Sequence, residues 1–339
     1  MRRVVITADS CFPRRRDCAF ALIDVTDGNN PEIVSRTSVP DHCCAFAASD
    51  HRLYCAPPGS FMVFDISNPF NPILESRLKA SHGCKIVVSE SEKRVYLADW
   101  NNGVLIIDIG DSKNPSIIGR MSCDGENQFE GEIHPYGVSG LAVKDRFLFA
   151  STMDYDMRQN REALYVYNIE QPRNPKWIAR IGTSPCRGHG IVLKRNFAIV
   201  VGLRHTMVID ISRPDEPTII SIIDTPERFG MNPWMSGNYV YVPETAYEPN
   251  RRMAGFRILD VSNPLHIEYL SEILIPAKTA SNVKVVDNVA YLACQGGLAM
   301  IDVSNPQSPY LMNLFSPGGS ERIGEGIEVV DYADEVFAH

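Results

Sequence analysis

One phrase, Ala299-Met300-Ile301-Asp302-Val303-Ser304-Asn305-Pro306, constrains this chain more than any other feature, because variants of it occur seven times. An aliphatic run leads into an acidic or amide residue, one more aliphatic follows, and a polar turn commonly ends in proline. The core recurs as Leu22-Ile23-Asp24-Val25, Val63-Phe64-Asp65-Ile66, Ile106-Ile107-Asp108-Ile109 and Val166-Tyr167-Asn168-Ile169. It continues as Val208-Ile209-Asp210-Ile211, Ile258-Leu259-Asp260-Val261 and Met300-Ile301-Asp302-Val303. The anchors at 24, 65, 108, 168, 210, 260 and 302 lie 41, 43, 60, 42, 50 and 42 residues apart. A period in the low forties with insertions marks a repeat array, in which like units stack to bury a shared core.

Each period reads as four short strands. In the last complete one, Val283-Lys284-Val285-Val286 alternates, Asp287-Asn288 is a tight-turn pair, and Val289-Ala290-Tyr291-Leu292-Ala293 is a second run. Gln295-Gly296-Gly297 turns the chain into the apolar third strand, Ser304-Asn305-Pro306 turns it again, and residues 309–314 form a fourth. The third strand is apolar on both faces, as suits a strand packed between neighbouring sheets. The closing Asp, or Asn168 in its place, can accept hydrogen bonds from turn N–H groups. A second proline at 31, 72, 115, 175, 217 or 309 opens the fourth strand, where a missing donor is tolerated on an outer edge. Repeat six has His266-Ile267 there, so a looser turn is expected.

Seven four-stranded antiparallel sheets set radially make an all-β, seven-bladed β-propeller, expected to be a single domain over residues 1–339. The aliphatic-Asp-Val-Ser-Asn-Pro core resembles the LVIVD repeat family of β-propellers, and the resemblance covers essentially the whole chain. It implies the fold, and it brings no shared catalytic motif. Gly326-Ile327-Glu328-Val329-Val330 reads as a first strand and Glu335-Val336-Phe337-Ala338 as the start of a second. Val4-Val5-Ile6-Thr7-Ala8-Asp9 also reads as a second strand, followed by a third over residues 20–25 and a fourth over 32–34. One blade is therefore expected to be closed by both chain ends, with two segments competing for one position.

A net charge of −8 argues against a nucleic-acid partner and gives no reason to expect an anionic membrane surface. The basic runs Arg14-Arg15-Arg16 and Arg251-Arg252 read as solvated loop residues, with a small anion as the functional alternative. No signal-peptide core and no membrane-spanning segment is read. Nine cysteines, at 11, 18, 43, 44, 55, 84, 123, 186 and 294, are irregularly spaced, which suits reduced thiols and a cytoplasmic location.

If the Ser-Asn-Pro turns define the bottom, both kinds of long connection fall on the top. These are residues 123–136, 153–161 and 244–253, joined by residues 10–17 of the N-terminal blade. Long polar loops on one face of a rigid scaffold are where binding usually lives, against the plainer reading of neutral insertions. His42, His82, His134 and His189 lie at or just before first, innermost strands, pointing toward the upper rim of a central channel. Imidazoles there are candidates for acid–base catalysis. Arg187 and Arg204 would bind an anionic group, and Trp100, Tyr155 and Trp234 would supply apolar walls. Asp154, Glu244, Gln295 and Glu325 complete the candidate substrate-binding set. His42/Cys44 and His82/Cys84 could together offer two nitrogens and two sulfurs to a metal, but no CxxC or HExxH spacing backs this. Buried packing cysteines are the preferred reading, and no cofactor is indicated. Gly188-His189-Gly190 and Gly318-Gly319 read as turn glycines rather than nucleotide motifs.

The expected function is small-molecule binding in a top-face pocket, with metal-independent acid–base catalysis as its enzymatic form. That chemistry would be of the kind a lyase, isomerase or cyclase, or hydrolase performs. The alternative is a non-catalytic scaffold that uses the same face to bind a protein partner.

Overall fold

The computed structural model describes residues 1–9, 18–41, 43, 45–80, 83–99, 103–123, 137–153, 162–186, 188–246, 253–277, 279–295, 297–316 and 323–337. All but one of the elements are strands, and every strand pairing is antiparallel. Five sheets are four-stranded blades. One of them runs Phe46–Ser49, Arg52–Cys55, Phe61–Asp65, Ile73–Leu78 from the inside outward.

The repeat chemistry explains the blades. In each of the seven repeats the anchor carboxylate or amide oxygen accepts the N–H two residues on, at 2.7–2.9 Å. The aliphatic residue after the anchor sends its own N–H to a carbonyl just before the second strand, as Ile109 does to Lys93 at 2.9 Å. Each third strand then slips register by one residue against the fourth at the same place, for instance between Ile106 and Ile107. Such a bulge twists the outer strand and turns a side chain toward the next unit. Ser35 and Ser76 there donate to Pro69 O (2.6 Å) and Ser112 O (2.7 Å) of the following turns. At Asp302 the turn is reinforced by Ser304 Oγ and by Tyr310 Oη at 3.2 Å. Asp302→Ala should cost about 1 kcal/mol by analogy with lost caps. Asp302→Asn should cost little, since Asn168 fills the same place in repeat four. Equal losses for both in urea denaturation would show that the turn does not depend on this acceptor.

Two expectations are corrected. The blades are not seven separate four-stranded sheets: besides the five, the remaining strands run together in one seven-stranded sheet. Its cause is a single strand, Thr218–Gly230, which serves repeat five and then continues until residues 228–230 pair with 244–246 of repeat six. Phe197–Asp210 is continuous as well, with residues 197–202 paired to one neighbour, Leu203 and residues 205–210 to another, and Arg204 at φ 61° in the register shift between Leu203 and His205. The closing blade is corrected too. The run beginning at Glu335 is no strand but a 3₁₀ helix over Asp334–Phe337, held by Val336 N–H to Ala333 O and by the N-terminal ammonium on Asp334. Ile323–Tyr332 pairs with Arg2–Asp9 in the order Ile323–Tyr332, Arg2–Asp9, Ala19–Asp24, Glu32–Ser38.

The core lies between neighbouring sheets. Phe20, Phe46 and Phe64 meet edge-to-face, Phe20 at 5.0 Å from Phe64 and 6.1 Å from Phe46. The innermost strands pack in succession: Phe46–Ser49, Gly83–Ser89, Gly137–Lys144, Gly188–Lys194, Trp234–Ser236, Ala280–Val286 and Ile323–Tyr332, the last returning to the first. They close into a ring about a central axis.

Candidate functional site

Four of these inner strands, Gly83–Ser89, Gly137–Lys144, Gly188–Lys194 and Ala280–Val286, carry a one-residue bulge at the same level, near their first residues. A bulge re-aims the side chains around it. In one strand the extra residue is His189, flanked by Gly188 and Gly190. These are strand glycines, which corrects their reading as turn residues. A Cβ on Gly188 would stand 2.3 Å from Val200 Cγ1, and one on Gly190 2.2 Å from Pro233 Cδ and 2.8 Å from Met231 O. The bare backbone lets the neighbouring strand pack close at Gly188 and the next unit close in at Gly190, and His189 is left as the side chain this stretch presents.

His189 lies 5.2 Å from the Phe229 ring, edge-to-face, and its Nδ1 is buried without a hydrogen-bond partner. Burial, then the positive charge of Lys85, push its pKa down to about 4 against the opposing influence of its own backbone. It is therefore neutral at pH 7. Lys85 is pushed down to about 8, first by burial and then by Lys284, with Glu328 opposing. Strand Gly83–Ser89 packs between Phe46–Ser49 and Gly137–Lys144, so the electrostatic influence of Lys284 and Glu328 on Lys85, and of Lys85 on His189, comes from strands that are not its neighbours in the ring.

The partners at the axis are unequal. Lys284 Nζ bonds Glu328 Oε1 at 2.9 Å and lies 4.0 Å from the centre of the Trp234 ring. Lys85 makes no hydrogen bond or ion pair among the described residues. Nearby, Asn232 N–H donates to Ser281 O at 3.1 Å, while its Oδ1 is buried and unpartnered.

Of the residues expected from sequence, His189 lies in the inner strand Gly188–Lys194 and Trp234 in the inner strand Trp234–Ser236. Arg204 is exposed at its positive-φ position. Gln295 is half-buried, and its N–H donates to Thr279 O at 2.9 Å. Glu244 is not at a mouth: it is 1% exposed and paired at 2.5 Å with Arg257, itself 2% exposed. Glu325 lies in Ile323–Tyr332, with its side chain outside the described set. His42, His82, His134, Trp100, Asp154, Tyr155 and Arg187 lie outside the described residues, and with them most of the four-residue metal set. Lys85, Lys284 and Glu328 went unread. Their signal is a charge in the middle of an innermost strand, as in Val283-Lys284-Val285, where alternation sends it toward the axis.

A recess of about 360 Å³ on the bottom face is lined by Asp50, Arg52, Glu90, Lys93 and Lys113 among others. Much of its charge is already paired, Arg52 with Glu75 at 2.9 Å and Lys93 with Asp50 at 3.4 Å. The axis is the better candidate.

A ring of antiparallel sheets packed through their innermost strands about one axis defines a β-propeller. LVIVD repeats match residues 44–79, 82–122, 188–225, 230–269 and 277–316, more than half of the chain, and the chain belongs to that family. No curated protein matches it. Among solved structures, a Bacteroides uniformis protein named as a 6-phosphogluconolactonase superposes with TM-score 0.72 at 10% identity, covering 97% of this chain and 99% of that one. A Sulfolobus tokodaii protein named as selenium-binding gives 0.71 at 10% identity, over 97% and 92%. AztD of Citrobacter koseri gives 0.62 at 10% identity, over 97% and 98%. At such identities the likeness shows the fold alone. No helix among the described residues is long and apolar enough to cross a membrane.

Proposed function

We propose that this chain binds a small organic molecule in its central channel, at the level of His189, Lys85 and Trp234. The observation that carries the reading is His189: a bulge re-aims it, its Nδ1 is buried, and that atom has no partner. A buried polar atom left unsatisfied costs about 1–3 kcal/mol, so a ligand that reaches it gains by doing so. The Trp234 face and the Phe229 ring supply apolar contact, as a small-molecule site requires. Two of the structural neighbours carry names that refer to a small substrate or element, which is in keeping with this use of the fold. Of His189 and Lys85, Lys85 changes protonation nearer neutral pH, so proton transfer during any turnover is assigned to Lys85 rather than to His189.

The test is a thermal-shift screen of a chemically broad small-molecule collection. A compound that stabilises the native chain should bind His189→Phe at least about tenfold more weakly, a loss of about 1.4 kcal/mol. A screen without hits, or hits that bind the variant equally well, would sink the reading.

A further inference from the structure

We infer that the recess on the bottom face is a second binding site, suited to a small zwitterion with a carboxylate and an ammonium on one carbon, a free α-amino acid. It lies where the turns of two neighbouring blades meet. At about 360 Å³ it is near the lower end of the roughly 300–1,000 Å³ range of ligand sites. All of its lining residues are described, and it shares none with the axis.

The observation that carries the inference is Tyr54. It lines the recess, it is 3% exposed, and its hydroxyl makes no hydrogen bond among the described residues. Tyr96 holds the same place in the next blade, third in the second strand, and its hydroxyl reaches Glu92 of the bottom turn at 2.7 Å. The residue corresponding to Glu92 beside Tyr54 is Asp50, and Asp50 is drawn across to Lys93 of the next blade at 3.4 Å. Tyr54 is thus left at the recess without the acceptor its counterpart has. Burial raises its pKa, so the phenol is protonated and can donate.

The other groups divide by whether the protein already uses them. Arg52 gives its Nε to Glu75 at 2.9 Å, which fixes the guanidinium, and its terminal nitrogens bond nothing among the described residues. The Lys113 ammonium likewise has no partner among them. With the Tyr54 hydroxyl these are donors for a carboxylate, which an arginine fork can hold at two points. Among the acids, Asp111 is engaged in its own turn by Lys113 N–H at 3.0 Å and Asn114 Nδ2 at 2.7 Å. Glu90 accepts Ser49 Oγ on one oxygen at 2.6 Å, and Asp50 commits one oxygen to Lys93. Their second oxygens can accept from an ammonium. A ligand with one sign of charge meets its like in the same recess, and a zwitterion answers both. Ile109, 7% exposed, is left for an aliphatic side chain.

The experiment is calorimetric titration at pH 7 and constant ionic strength with the common amino acids, their N-acetyl derivatives and their α-amides. At least one free amino acid should bind with a Kd of about 1 mM or tighter, and blocking either end should weaken it at least about tenfold. Tyr54→Phe should weaken it about tenfold as well. That variant should melt within about 2 °C of the native chain, because the hydroxyl it removes bonds nothing in the fold. Glu90→Gln should weaken the free amino acid and leave its N-acetyl form unchanged.

The inference is overturned if no amino acid binds, or if a blocked form binds as tightly as the free one. Unchanged affinity in Tyr54→Phe would do the same, as would a clearly lower melting temperature for that variant. An amino acid that binds Tyr54→Phe normally and His189→Phe weakly belongs to the axis, so this inference falls while the reading of the axis stands.

Discussion

Glu244→Ala is expected to lower stability by about 3–5 kcal/mol, the usual cost of stranding one member of a buried ion pair. Its carboxylate lies 2.5 Å from the Arg257 guanidinium, and both side chains are almost wholly shielded from water. The guanidinium sits 5.2 Å from the Tyr269 ring, and its Nε has no hydrogen-bond partner. Arg257 thus depends on Glu244 for its charge balance. Glu244 also pairs with Gly230, where Thr218–Gly230 joins the strand of the next repeat. A collapse there would loosen the seam of the seven-stranded sheet. Urea denaturation should show a lower midpoint with an unchanged slope. The double variant Glu244→Leu with Arg257→Met should recover most of the loss, because matched apolar replacement of a buried pair is often neutral or better. A single-variant loss below about 1 kcal/mol would mean that water reaches the guanidinium and that the pair matters little.

That pair also shows where sequence reading runs out. The anchors at 24, 65, 108, 168, 210, 260 and 302 were legible because an Asx turn is local chemistry: an acceptor, a donor two residues on, and a proline. The blade unit follows from them. Glu244 read as a rim residue because it ends a second strand before a long insertion. What turns it inward is Arg257 on the third strand and the strand laid over it from residue 218 onward, neither of which has a local signature. The same holds for the seven-stranded sheet, which exists only because residues 228–230 find 244–246.

The channel was half legible. His189 and Trp234 could be placed by their positions at first strands. The electrostatic influence among Lys85, Lys284, Glu328 and His189 joins strands up to some 240 residues apart, so spacing alone could not foresee it. The alternation of the inner strands was the available clue. Lysine and glutamate in a strand usually face solvent, which makes that clue a weak one. In a ring of inner strands, the face that alternation leaves polar looks at the axis.

Phe20→Ala is expected to cost about 3–5 kcal/mol, near the upper end of that range. Phe20 is fully buried where the sheet of paired chain ends meets its neighbour, with Phe64 and Phe46 edge-on to it at 5.0 and 6.1 Å. The cost of such a deletion depends on how far the surroundings can close over the cavity. Here they have little freedom. Phe46 is already pressed against the backbone of the last strand, where a Cβ on Gly326 would stand 2.2 Å from Phe46 Cδ2. Tyr332, in the same cluster, is tethered by its hydroxyl to Ile66 O at 2.7 Å. Neither ring can follow the missing one without giving up a contact of its own. Phe20→Leu keeps most of the volume and should lose much less. Because each unit of a repeat array is stabilised by its neighbours, weakening this joint should also broaden the unfolding transition, as the sheets on either side begin to separate independently. A sharp single transition with a loss below about 2 kcal/mol would show that the rings do close over the gap.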